Sequence, residues 1–178
     1  MSPLAERAWQ LLEAVPDPEI PVVSIRELGI LREVRAQQDG SSVEVVITPT
    51  YNGCPAMEQI ADDVRAALAA GGISGTVVTQ LAPAWTTDWI GPQAREKLRS
   101  YGIAPPQPVH ATPATCASDA PDAKVLRFVP RRRAPVALAC PRCGSHNTTE
   151  TSHFGSTACK SLWRCLDCLE PFDHFKPY

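Results

Sequence analysis

The first apolar positions of the chain, Leu4, Ala8, Leu11, Leu12 and Val15, recur three and four residues apart, the spacing of one helix face. Ser2 stands where a cap belongs, and Pro3 where the first turn tolerates a missing N–H. Pro16 and Pro18 stop that helix. The run Asp17-Pro18-Glu19-Ile20-Pro21 is predicted as a kinked loop, because its prolines remove donors and fix φ. Residues 24–28 read as one helical turn ended by Gly29. The period then shortens. Residues 30–36 and 42–47 read as strands, and Gln37-Gln38-Asp39-Gly40 between them supplies a hairpin turn. After a loop over 49–55, Met57, Ile60, Ala61, Val64, Ala67 and Leu68 make the apolar face of a helix over 56–70, ended by Gly71-Gly72. Residues 75–81 are rich in β-branched side chains and predict a third strand. Residues 85–90 read as a loop, and residues 92–101 as a last short helix.

Residues 1–103 therefore predict an α-β-β-α-β-α order, a small α+β domain. At residue 104 the texture changes. Residues 104–122 hold five prolines and almost no large apolar side chains, so 104–135 is expected to be a Pro-rich linker, with 124–129 an added strand or further tether. Residues 136–178 form a second unit. Composition, at 44% hydrophobic and 20% charged, is that of an ordinary globular chain. No apolar run is long enough to span a bilayer, and the N-terminal residues lack a basic start followed by an apolar stretch. A cytoplasmic location is expected, where cysteines stay reduced or metal-bound. Residues 1–103 carry 8 Lys/Arg against 13 Asp/Glu, and residues 104–178 carry 9 against 6. Neither imbalance demands nucleic acid, and Arg131-Arg132-Arg133 reads as a solvated run.

The strongest chemical signal lies in the second unit. Cys140-Pro-Arg-Cys143 and Cys165-Leu-Asp-Cys168 are two C-x2-C pairs separated by 21 residues. That spacing is the layout of a zinc ribbon, in which two turns bring four thiolates around one ion. Zinc is the expected metal, although four cysteines also suit iron, alone or in a cluster. Cys159 is surplus to such a site. It reads either as a thiol activated by the adjacent Lys160 or as a small buried apolar side chain. His146, His153 and His174 lie close enough in sequence to be substitute ligands, or are surface residues. Cys54 follows a glycine loop at the start of the 56–70 helix, where unpaired N–H groups and the helix dipole favour a thiolate. A reactive or metal-binding thiol is expected there, with an ordinary buried cysteine as the alternative. Asp17 and Glu19, in the proline loop, are candidate metal ligands or solvated loop acids. Cys116, in the linker, reads as an incidental thiol. The chain has no phosphate loop and no nucleophile elbow, and no residue is assigned a catalytic role.

Asp17-Pro18-Glu19-Ile20-Pro21, Leu28-Gly29-Ile30 and Asn52-Gly53-Cys54-Pro55 together resemble the small α+β domain of the iron–sulfur assembly factors, found in SufT-like proteins and at the N-terminus of some Mrp-type ATPases. The runs Phe154-Gly155-Ser156-Thr157-Ala158-Cys159-Lys160 and Glu170-Pro171-Phe172-Asp173-His174-Phe175-Lys176 extend the likeness. With them, nearly the whole chain resembles the D-subunit family of the phenylacetyl-CoA epoxidase (ring 1,2-phenylacetyl-CoA monooxygenase) system. The resemblance implies an accessory component of aerobic phenylacetate degradation that does not carry out the oxygenation. It would mature or maintain an iron–sulfur or iron centre in epoxidase components, above all the reductase with its flavin and two-iron, two-sulfur centre. It further implies that Cys54 is the functional thiol, holding iron or a cluster transiently, with Cys159, Asp17 and Glu19 as further candidates. A non-catalytic scaffold with a purely structural metal is the alternative. A nucleic-acid-binding ribbon, a thiol enzyme and a homo-oligomer stay open.

Overall fold

Ser2 caps the first helix: its Oγ accepts a hydrogen bond from the Ala5 N–H at 3.2 Å, and Pro3 opens α1 (Pro3–Leu12). The buried face of α1 is Ala5, Ala8 and Leu12. Strands β1 (Leu31–Ala36) and β2 (Ser42–Ile47) pair antiparallel. Helix α2 (Ala56–Ala70) then carries the chain to β3 (Ser74–Thr79), which lies parallel to β2, so the sheet order is β1-β2-β3. A parallel neighbour requires such a crossover. Helix α3 (Pro92–Tyr101) ends at Gly102, whose φ of 96° is the left-handed conformation that closes many helices. The order is the α-β-β-α-β-α expected from the sequence. Strand β3 stops at Thr79, short of the expected residue 81, because its partner runs out: Ile47 is the last residue of β2 and faces Thr79.

The computed structural model describes residues 2–38, 40–107 and 138–177. The expected strand at 124–129, Arg131, Arg132, Arg133, Cys116, Asp39 of the hairpin turn and most of the expected linker lie outside these residues.

The proline loop is held by its own polar groups. Asp17 Oδ1 accepts hydrogen bonds from the N–H groups of Glu19 at 3.0 Å and Ile20 at 2.8 Å. Such bonds from a carboxylate to the backbone two and three residues on define a turn. The following turn, 24–28, is fixed by a reciprocal pair. Ser24 Oγ accepts from the Glu27 N–H at 3.2 Å, and Glu27 Oε2 accepts from the Ser24 N–H at 3.0 Å. Gly29 leaves that turn with φ of 72°. A Cβ there would stand 2.7 Å from Trp89 Cβ. The close approach lets Trp85 Nε1 donate to the Leu28 carbonyl at 2.8 Å.

The second sheet has the order β4-β7-β6-β5, built from β4 (Ile103–Ala104), β5 (Thr148–Ser152), β6 (Lys160–Cys165) and β7 (Pro171–Phe175). Strand β4 follows α3 directly and pairs parallel to β7, so the chain enters the ribbon sheet as soon as it leaves the last helix. Its two residues part company. Ile103 belongs to the main core, and Ala104 to a small ribbon core with Cys140, Cys165 and Phe172. From the ribbon side, Cys159 and Phe175 join the main core. Phe175 is 1% exposed, with its ring 5.9 Å from that of Trp85. Burying such a side chain contributes about 2–3 kcal/mol. That exceeds the roughly 1 kcal/mol of an ordinary hydrogen bond, so apolar contact leads the docking. Among the described residues no helix is long and apolar enough to cross a membrane.

Gly29→Ala tests the turn that seats Trp85. The variant combines a positive φ, costing about 1–2 kcal/mol for a side-chain-bearing residue, with a contact against Trp89. Urea unfolding is expected to show a loss of about 2 kcal/mol or more. An unchanged midpoint would contradict the packing described.

Candidate metal centres

The two C-x2-C turns converge. Cys140 Sγ lies 3.8 Å from Cys168 Sγ and Cys143 Sγ lies 3.6 Å from Cys165 Sγ, and all four ligand atoms fall within 4.8 Å of one another. Sulfurs at the corners of a tetrahedron with bonds of about 2.3 Å stand about 3.8 Å apart. Two of the six edges already have about that length, and the donor set fits one tetrahedral ion. Each turn reverses through a left-handed residue, Gly144 at φ 76° and Leu169 at φ 65°. The N–H of Cys168, and then that of Asp167, point at Cys165 sulfur and hold its thiol down at about 7. Amides aimed at sulfur stabilise the thiolate that a metal requires. Asp167 also ties the two turns together, accepting from Asn147 Nδ2 at 2.7 Å and from Ser145 Oγ. Among the described residues no histidine joins the cluster. His146 is exposed, and His153 is exposed beside Glu150. His174 is buried, and burial pushes it down to about 4, so it is neutral at physiological pH.

The remaining candidates meet at the seam between the α+β domain and the ribbon. Asp17, Glu19 and Cys54 from the first domain and Cys159 from the second line one narrow cavity of about 10 Å³, floored by Ile20, Leu28, Ile60 and Phe175. Cys159 is 4% exposed, and its sulfur stands 3.0 Å from Thr157 Oγ1 and donates to Glu19 Oε2 at 3.6 Å. Cys54 is half-buried on the first-domain side, two residues before α2 begins, and follows Gly53 at φ 83°.

The structure corrects the expected charge of Cys54, and for Cys159 it favours the buried small side chain over the activated thiol. Burial pushes the Cys54 thiol up. The Ala56 N–H opposes it as the helix terminus should, but Glu19 and Asp17 add to the rise. The helix end is outweighed, and Cys54 rests as a neutral thiol. Cys159 is pushed up to about 11, first by burial and then by Glu19. Lys160, the expected activator, lowers it too weakly to reverse this. Lys160 is itself buried and engaged with Asp173 at 3.3 Å. Asp17 is also raised, by burial, against the pull of its two backbone N–H groups. Tyr51 is a member of the site that sequence reasoning misses. It shares a hydrogen bond with Cys54, and burial with the neighbouring thiols and Glu19 raises its phenol. Its place three residues before Cys54 in the same loop is the available signal. Phe175, which closes the cavity floor from the other domain, has no local signal at all.

An acidic loop facing a loop-borne cysteine is thus joined to a four-cysteine β ribbon, and the family matches give the class: an iron–sulfur-assembly-type domain fused to a zinc-ribbon domain. Residues 5–80 match the family described as iron-sulfur cluster assembly protein, and residues 128–176 match the PaaD zinc beta ribbon domain. A protein of Escherichia coli (strain K12), provisionally named as the D subunit of 1,2-phenylacetyl-CoA epoxidase, is 46% identical over 98% of this chain and 93% of its own length. The chain belongs to that D-subunit family. An Fe-S protein maturation auxiliary factor of Porphyromonas gingivalis (strain ATCC BAA-308 / W83) is 34% identical over 50% of this chain and 85% of its own. A domain of unknown function from Bacillus anthracis, solved by crystallography, is 28% identical over 53% of this chain and 91% of that one, with a TM-score of 0.49.

The two seam thiols should react differently. At about pH 8 iodoacetamide is expected to modify half-buried Cys54 well before Cys159. Because a raised pKa keeps the neutral thiol to higher pH, alkylation of Cys159 should go on accelerating toward pH about 11. Peptide mass spectrometry across a pH series reads both rates. A Cys159 rate that levels off in the ordinary thiol range would refute the buried, acid-flanked setting.

Proposed function

We propose that this chain is an accessory protein of aerobic phenylacetate degradation. It matures or maintains the iron–sulfur, or iron, centre of a multicomponent phenylacetyl-CoA epoxidase. The observation that carries this reading is the meeting of Asp17, Glu19, Cys54 and Cys159 on one cavity, with donors from both domains. Iron is cargo here, held for a time by Cys54 and passed on, with Cys159 as the second thiol. Membership of the D-subunit family and similarity to an Fe-S protein maturation auxiliary factor support the same direction.

The two centres differ in a way that suits different tasks. In the ribbon, four sulfurs already stand within 4.8 Å of one another, and a resident zinc ion fits them. Zinc has no redox chemistry, and at such a site its contribution is to fold and hold the ribbon. The seam donors do not all lie within that distance, and both thiols rest protonated. Metal enters such a site by displacing protons, and returning protons favour release. Reversibility of that kind is what a transfer site needs.

The expected recipient is the reductase component, because it carries the flavin and the two-iron, two-sulfur centre. Cys54→Ser, co-expressed with that reductase, is expected to stay folded and keep its ribbon metal while the reductase loses most of its cluster. Iron and acid-labile sulfide per reductase, with its visible spectrum, read the outcome. Full cluster content in the presence of the variant would sink the proposal. It would leave a scaffold with a purely structural metal as the better account.

A further inference from the structure

Resting on that reading, we infer that the seam takes a single thiophilic divalent cation, bound by the sulfurs of Cys54 and Cys159 with the carboxylate of Glu19. While the ribbon is docked it does not hold an assembled cluster. The first argument is size. The cavity between these residues has about 10 Å³ of free volume. That is on the scale of one water molecule or one ion. Even the smallest cluster adds two irons and two bridging sulfides. Apolar side chains close the rest of the cavity. Ile20, Ile60 and Phe175 are each 1% exposed and leave no room to expand without lifting the ribbon away.

The second argument is donor chemistry. Two sulfurs and one carboxylate suit iron(II), cobalt(II) or zinc(II), and do not suit magnesium or calcium. The Cys159 sulfur and Glu19 Oε2 already stand 3.6 Å apart, and binding draws in the Cys54 sulfur, which lines the same cavity, to meet them. Asp17 is not counted among the ligands. Its Oδ1 is already engaged by the N–H groups of Glu19 and Ile20, so it is a positioning residue that fixes the loop carrying Glu19. The binding step is balanced simply: one divalent cation enters, both thiols become thiolates, and two protons leave for solvent.

The third argument is access. Glu19 also lines a wider surface pocket of about 420 Å³ together with Lys160, Phe172 and Asp173. Its side chain thus borders both the outside and the thiol cavity. Lys160 in that pocket is occupied by Asp173, which leaves Glu19 as the donor an arriving cation meets before it reaches Cys159 at 3.6 Å.

The test uses the full chain with zinc on the ribbon, kept without oxygen and titrated with cobalt(II) alone. Zinc holds the ribbon against cobalt because a four-thiolate site prefers it. The expected result is one cobalt per chain beyond the zinc, with sulfur-to-cobalt charge-transfer absorption. Cys54→Ser and Cys159→Ser should each weaken that binding roughly tenfold or more, the loss that even an outer-shell change causes at metal sites. Glu19→Gln should weaken it while leaving the charge-transfer band. Retained zinc in each variant shows that it has folded. Binding unchanged in Cys159→Ser, or no cobalt beyond the zinc, overturns the inference. So does a cluster spectrum that depends on both cysteines when iron and sulfide are supplied together. Failure of this inference is separable from failure of the proposed role. If cobalt binds as described but the reductase matures without Cys54, the site stands and the role falls. If Cys54→Ser abolishes maturation while no extra ion binds, the role stands and the site falls.

Discussion

Phe175 closes the core of the first domain from outside it. The side chain comes from the last strand of the ribbon, packs its ring against Trp85 and is all but removed from solvent. Around it the two units share one apolar interior. Strand β4 leaves α3 and pairs with β7, and Cys159 enters the same core. Without that docking, Cys159 would be an exposed thiol on a small ribbon, and the Asp17–Glu19 loop would face water. With it, two thiols and two carboxylates are forced into a space from which most water is gone.

That enforced company sets the electrostatics. Among the described residues, every ionisable group lining the cavity is an acid. Lys160 is paired with Asp173 and offsets little. Burial therefore raises the thiols and Asp17 together, and each group makes ionisation of the next harder. An arrangement of neutral thiols beside carboxylates is poor for nucleophilic chemistry, which needs a standing thiolate. It is well suited to a cation, whose charge removes the repulsion at once. The same physics that disfavours a standing thiolate favours a visiting cation.

Much of this is legible in the chain, and the reason is locality. The faces of α1 and α2, the hairpin strands and the C-x2-C turns are each defined within a few residues, where periodicity, capping and ligand spacing act. Asp17 and Glu19 stand out as candidates because the prolines around them make their loop unusual. What is not legible is how these pieces meet. Cys159 lies 140 residues from Glu19, and nothing in the local pattern says that it turns away from the ribbon metal toward another domain. The expected thiolate at Cys54 fails for the same reason. The helix-end effect is local and present, but the desolvation and neighbouring acids that outweigh it come from tertiary packing.

The two centres also differ in how their affinity is built. The ribbon cysteines are gathered by short turns, so little chain entropy opposes closure, and an ion bound there stabilises the very unit that holds it. The seam donors are gathered only when two units dock, so an ion bound there as proposed would pull the units together, and undocking would loosen it. Such coupling is reciprocal. Every loss of about 1.4 kcal/mol from docking weakens apparent affinity about tenfold. A partner that competes for the face covering Phe175 would therefore lower the hold on the proposed ion at Cys54 without touching a ligand. A ribbon kept rigid by its own ion is the element that makes such a switch sharp, since it moves as a body and takes Cys159 with it.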